Sequence, residues 1–162
     1  MPLNAQIMLS ILAHETSAGD LSKTLRATPV SYAATLTDGN GANQAQVVWS
    51  DSRTAANGQT DTIDMSALTD ERGTITLQGI KLIYFQNTGA NAIYFNPNVE
   101  NPWAGLFSTD DGTPQWFALP AGTTAVFSRP GSGNLGGGQI AAYAAFGAIS
   151  YDVLIIARGT IT

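Results

Sequence analysis

The sequence predicts an all-β protein: a jelly-roll-like β-sandwich preceded by an N-terminal arm, with an immunoglobulin-like sandwich as the alternative. Short runs of alternating apolar and polar residues are separated by clusters of Gly, Pro, Asn and Asp, the pattern of many short strands joined by tight turns. No long amphipathic helix interrupts them. The final run, Tyr151-Asp152-Val153-Leu154-Ile155-Ile156-Ala157, is apolar at both parities, as a strand covered on both faces must be. A set of about eight strands closed by such a run suits two packed sheets. The immunoglobulin-like alternative is weakened by long loops and by the lack of a Cys…Trp…Cys spacing.

Residues 1–30 form the arm and residues 31–162 the sandwich domain. In the arm, Ile7/Ile11 and Met8/Leu12 stand four apart, so the run reads either as a short helix or as an extended segment. So apolar a terminus must lie on something, either its own domain or a neighbouring subunit. Tyr32, Ala34 and Leu36 alternate, Asp38-Gly39-Asn40-Gly41 turns the chain, and Ala45, Val47 and Trp49 resume the alternation. Asn57-Gly58 between two strand-like runs signals a hairpin, because a type I′ turn needs φ > 0 at both central residues. Ile75 and Leu77 share one parity, whereas Ile80, Leu82 and Tyr84 share the other, which places a β-bulge at Gln78-Gly79. Ile83 and Phe85 fill the opposite parity, so this strand is expected to be buried on both faces. A turn at residues 87–91 precedes Ile93-Tyr94-Phe95. The long loop from Asn96 to Thr113 then carries Trp103, Leu106 and Phe107, side chains that need burial somewhere. Trp116-Phe117-Ala118-Leu119 and Ala125-Val126-Phe127 are further strands, and five glycines among residues 129–138 mark a loop tip.

Composition narrows the function classes. Charged residues make up 12 % of the 162, about half of what soluble domains usually carry. That shortage fits a surface partly covered by partners, or a Thr/Asn/Ser/Gln-rich β protein that stays soluble without charge. The net charge is −5 and the seven basic residues are scattered, with no two adjacent. This argues against a phosphate-binding footprint, and so against a nucleic-acid partner. There is no cysteine, which rules out thiolate chemistry and disulfides and suits assembly in a cytoplasm. The run Ile7-Met8-Leu9 with Ile11-Leu12 is too short for a membrane span, which takes about 20 residues, and no signal-peptide pattern surrounds it.

No reaction chemistry is legible, so no catalytic, cofactor or metal residue is assigned and the chain reads as a non-enzyme. His14, the single histidine, has no neighbouring partner for a triad or metal site. Asp61 and Asp64 fall on opposite faces of a strand and make a poor acid–base pair. Asp51, Asp70 and Glu71 lack the spacing of a calcium loop. Gly131-Ser132-Gly133 has neither the strand–loop–helix context of a phosphate loop nor a second histidine for a nucleophile elbow. Trp49, Trp103 and Trp116 with Tyr84, Tyr94 and Tyr143 form either a sugar-stacking platform or ordinary core. The candidate partner-binding residues are Ile7, Met8, Leu9, Ile11 and Leu12 in the arm and Trp103, Leu106 and Phe107 in the long loop.

The segments Val48-Trp49-Ser50-Asp51-Ser52-Arg53-Thr54, Ile63-Asp64-Met65-Ser66-Ala67-Leu68-Thr69-Asp70, Gly73-Thr74-Ile75-Thr76-Leu77 with Ile80-Lys81, and Tyr151 to Gly159 resemble capsid decoration, or cement, proteins of tailed bacteriophages. The resemblance runs from about Ser31 to the C-terminus and rests on strands and turns. It implies a β-sandwich or jelly-roll body made in the host cytoplasm, which oligomerises, as a trimer or dimer, on the outer capsid surface of the virion. There it would clamp neighbouring major capsid protein subunits, with no cofactor. A carbohydrate- or receptor-binding module of a phage particle is the alternative expectation.

Overall fold

The computed structural model describes residues 2–11, 14–16, 24–26, 30–97, 117–131 and 138–162. Its strands are β1 (Asn4–Ile11), β2 (His14–Thr16), β3 (Thr24–Arg26), β4 (Val30–Asp38), β5 (Gln44–Ala45), β6 (Val47–Ala55), β7 (Thr60–Asp64), β8 (Leu68–Asp70), β9 (Gly73–Asn87), β10 (Ile93–Pro97), β11 (Phe117–Leu119), β12 (Thr124–Ser128), β13 (Gln139–Tyr143) and β14 (Ile149–Ile161). The protein is all-β, as its sequence predicts, and the strands are arranged as a sandwich.

A central sheet runs in the order β12-β9-β14-β6, with β8 folded back on β9. A second sheet, β11-β10-β13-β7, faces it. Between them lies the main core, which includes Val47, Trp49, Ile63, Ile83, Phe85, Phe95, Ile140, Tyr151, Val153 and Ile155. The aromatic rings cross this interface in contact, with Phe85 at 4.5 Å from Phe95 and Phe95 at 5.7 Å from Tyr151. Alternation along the central strands sends the intervening residues to the other face. There Leu82 and Ile156 join Ile7, Leu36 and Ala45 in a second core, with Val48, Tyr84 and Leu154 packed beside it. The cover on that side is a small sheet, β1-β4-β5. The final strand β14 is therefore central and buried on both faces, as expected from its composition.

Strand β9 carries two irregularities. Opposite β14, Ile156 pairs with Leu82 but Ala157 with Ile80, and Arg158 pairs with Gly79 but Gly159 with Leu77. The extra residues are Lys81 and Gln78. The bulge at Gln78 is the one the parity switch predicts. The bulge at Lys81 corrects the expected pattern, because it puts Ile80 in the main core and Leu82 in the second one. Lys81 is wholly buried, and its Nζ donates to the Gly131 carbonyl at 2.6 Å. Burial, then the charges of Arg158 and Arg129, push its ammonium below the ordinary lysine range.

Asn57-Gly58 corrects another expectation. Strand β6 pairs with β14, whereas β7 pairs with β13 in the opposite sheet. The segment is thus a corner between sheets and not a hairpin. Gly58 has φ of +76° while Asn57 is not in the left-handed region, and Gln59 N–H closes the turn on the Ala56 carbonyl at 2.9 Å. A type I′ geometry would have returned the chain along β6; this turn lets it leave the sheet.

Candidate interaction surface

The arm is extended rather than helical. β1 pairs antiparallel with β4 along its whole length, from Asn4 opposite Thr37 to Ile11 opposite Val30. A further ladder, His14 with Arg26 to Thr16 with Thr24, is nested within it along the chain. Register assigns the side chains to faces. Ile7 stands opposite Ala34 and Leu9 opposite Tyr32, so these residues share one face with Ala5 and Leu36. At the root of the hairpin that face is seated: Ile7 is 8 % exposed, and Leu36 is wholly buried on the central sheet. Farther out the cover ends. Leu9 is 52 %, Ile11 53 % and Tyr32 40 % exposed, and on the opposite face Met8 is 77 % exposed.

A two-stranded ribbon is marginal in water unless it packs on something. β1 is also an edge strand, and edges are ordinarily protected by charges, Pro or bulges. Strand β1 has no charged residue and β4 has none before Asp38, and their ladder is unbroken. Ile7 is turned into the chain's own second core, whereas Met8, Leu9 and Ile11 project. Leu12, Trp103, Leu106 and Phe107 lie outside the described residues. Sequence reasoning does not place Tyr32 on this exposed face because it lies beyond the expected arm; its pairing with Leu9 does.

Beside the arm's footing, the described residues cover the outer face of the central sheet only in part. Cross-strand register forms rows on that face. The row Leu82, Ile156, Val48 lies under the arm root. The next row, Val126, Tyr84, Leu154, Ser50, borders an open hollow of about 540 Å³ whose lining includes Ser52, Tyr84, Asp152 and Leu154. Val126 is 53 % exposed. Tyr84 donates its hydroxyl to Gln86 Oε1 at 2.8 Å, and Ser52 Oγ bonds Asp152 Oδ1 at 2.6 Å.

Several ionisable groups elsewhere among the described residues hold the body together. Arg53 on β6 donates through Nε to Asp61 Oδ2 at 2.6 Å and through Nη1 to Asp51 Oδ2 at 3.0 Å. The buried Tyr151 hydroxyl donates to the same Asp61 oxygen at 2.8 Å. Burial works against the Asp61 carboxylate, but the hydrogen bonds from Arg53 and Tyr151 and the guanidinium charge outweigh it, so its pKa lies below the ordinary value. Burial, reinforced by the Asp61 charge, pushes the Tyr151 hydroxyl far up. Asp64 points the other way, to Ser66 and to Gln139 Nε2, so the two carboxylates do lie on opposite faces. Asp70 is paired with Arg72. Among the described residues there is no cluster of three or more His, Cys, Asp and Glu side chains able to hold a metal, and no helix long and apolar enough to cross a membrane.

The aromatic residues divide between core and surface. Trp49 is buried with Nε1 on the Thr69 carbonyl at 3.1 Å. Tyr94 meets Phe146 edge-on at 5.9 Å, and Phe146 is exposed; no sequence signal marks Phe146, since it sits alone in a turn. Trp103 and Trp116 lie outside the described residues. No protein-family model and no curated protein matches the chain.

Proposed function

We propose that this protein is a structural component of a phage virion that binds the outer capsid surface and stabilises contacts between major capsid subunits. The observation that carries the reading is the hairpin arm, whose β1–β4 ladder has no charge before Asp38 and projects Met8, Leu9, Ile11 and Tyr32 from a sandwich with two cores. A cement protein needs a stiff body and apolar contacts repeated by symmetry, each weak alone and strong together. The resemblance of the Val48–Thr54, Ile63–Asp70 and Tyr151–Gly159 segments to decoration proteins points the same way. So does the low charge, since few ions have to be desolvated when such a surface is covered.

The test is reconstitution. Phage heads lacking the protein are mixed with it, sedimented and heated. The reading expects saturable co-sedimentation and a higher temperature of head disruption, and both effects should be lost in Leu9→Asp/Ile11→Asp. A protein that stays in the supernatant and leaves the heads unchanged overturns it. The second reading, a carbohydrate- or receptor-binding module, is favoured by the exposed Phe146 packed against Tyr94. Glycan-array binding abolished by Phe146→Ala and kept by Leu9→Asp would select it.

A further inference from the structure

We propose that the projecting face of the arm is covered by a second copy of this chain, with Leu9, Ile11 and Tyr32 of one copy lying on the Val126–Tyr84–Leu154 row of the other. The inference deepens the proposed function by naming the arm's neighbour, and it rests on the arm being a contact element.

The contact continues one that already exists inside the chain. At its root the arm sets Ile7 and Leu36 on Leu82 and Ile156, so an uncharged apolar hairpin face on the outer face of the central sheet is a pairing this sequence already makes. Each partner surface then runs on beyond that contact with less cover: Leu9, Ile11 and Val126 are exposed, and Tyr84 and Leu154 are half-buried beside the second core. On the arm, the next pairs are Leu9 with Tyr32 and Ile11 with Val30; on the sheet, the next row is Val126, Tyr84 and Leu154. Arm and sheet therefore each keep an apolar surface that the described residues cover only in part, and the same chain supplies both halves. The chain's own arm does not close the gap, because Leu9 and Ile11 remain about half exposed and line no part of the hollow beside Tyr84 and Leu154.

Charge agrees. Two copies of a chain with net charge −5 repel at long range, so an interface between them must keep acids out of contact with acids. The hollow carries Asp51 and Asp152 at its lining, and the facing stretch of the arm, residues 4–11 and 30–37, carries no acid. Reciprocal exchange, arm on sheet and sheet on arm, closes the assembly, and the opposite face of each arm, which carries the exposed Met8, stays available to the capsid.

The absence of cysteine allows a clean trap in the full chain. Leu9→Cys combined with Val126→Cys is oxidised and run on a non-reducing gel, alongside light scattering of the wild type. The expected results are covalent species of at least twice the monomer mass and a wild-type mass of two or more chains. Leu9→Cys with Thr60→Cys, which places the second thiol on the far sheet, should give no such species. Leu9→Asp/Ile11→Asp should return the protein to a monomer with the melting temperature of the body unchanged. A monomeric wild type, or a disulfide formed within one chain, overturns the proposal. An oligomer that ignores phage heads removes the capsid function and leaves this inference standing. A monomer whose arm variants lose head binding does the reverse.

Discussion

Asp61 shows how one side chain ties two sheets together. It comes from β7 in the second sheet and accepts from Arg53 and Tyr151, both in the central sheet. The pair is only partly shielded, since the Arg53 side chain keeps 24 % of its surface, so its value falls below the roughly 3–5 kcal/mol of a fully buried pair. Asp61→Asn keeps the shape, removes the charge and leaves the guanidinium and the phenol hydroxyl poorly matched. The expected cost is about 2 kcal/mol, read from urea unfolding at neutral pH. The pH dependence has a definite sign. The folded carboxyl titrates below its unfolded value of 3.8, so its contribution is fully present above that pH. It is lost as pH falls through the lower folded value. The wild-type advantage over Asp61→Asn should therefore be constant from neutrality down to about pH 5 and shrink below about pH 4. A difference that stays level through acid unfolding would show that the charge at Asp61 is not what holds the sheets.

At the scale of elements, the β9–β14 pair dominates, and its bulges show what a sequence discloses. The bulge at Gln78 is legible because Ile75 and Leu77 fall out of phase with the apolar residues beyond Gly79. The one at Lys81 is not, since Ile80, Leu82 and Tyr84 look in phase and a lysine reads as solvent-facing until its burial is seen. Asn57-Gly58 reads as a hairpin for a related reason: turn chemistry is local, while the choice between returning to β6 and crossing to β13 depends on distant partners. The arm's apolar run is legible, but its pairing with residues 30–37 is not, so nothing in the sequence places Tyr32 on the same exposed face as Leu9. Gly159 tests the bulge region directly. A Cβ there would run into the Thr76 carbonyl and the Leu77 backbone on the neighbouring strand, at a residue with no left-handed φ, so the penalty is steric. Gly159→Ala should cost about 1–3 kcal/mol, more than the 0.4–1 kcal/mol or so gained by stiffening the unfolded chain. Gly131→Ala, which meets nothing within 4 Å, should be neutral or mildly stabilising. Equal effects of the two in chemical denaturation would mean that β9 and β14 can separate slightly at no cost.

For the whole molecule, the decisive feature is that one sheet serves two cores. The main core draws on both sheets of the sandwich and holds the aromatic contacts of Phe85, Phe95 and Tyr151. The second core is small and fastens only the root of the arm. Opening of the arm should then be a local event with its own, lower free energy, separate from global unfolding. Two truncations distinguish the levels. Phe95→Ala removes a ring from the main core and should lower global stability by about 3–5 kcal/mol, raising amide exchange in every strand of both sandwich sheets. Leu36→Ala empties a site in the second core. It should speed exchange in β1, β4 and β5 by the factor corresponding to about 2–3 kcal/mol, close to a hundredfold, while the slowest amides of β9 and β14 keep their protection. Hydrogen exchange read by mass spectrometry reports both variants in one experiment. If Leu36→Ala loosens β9 and β14 as much as β1, the arm is part of the cooperative body. If only the arm responds, the molecule is a stable sandwich bearing a hinged apolar arm, and covering the projecting face of that arm, by whatever partner, should slow exchange in β1 and β4 first.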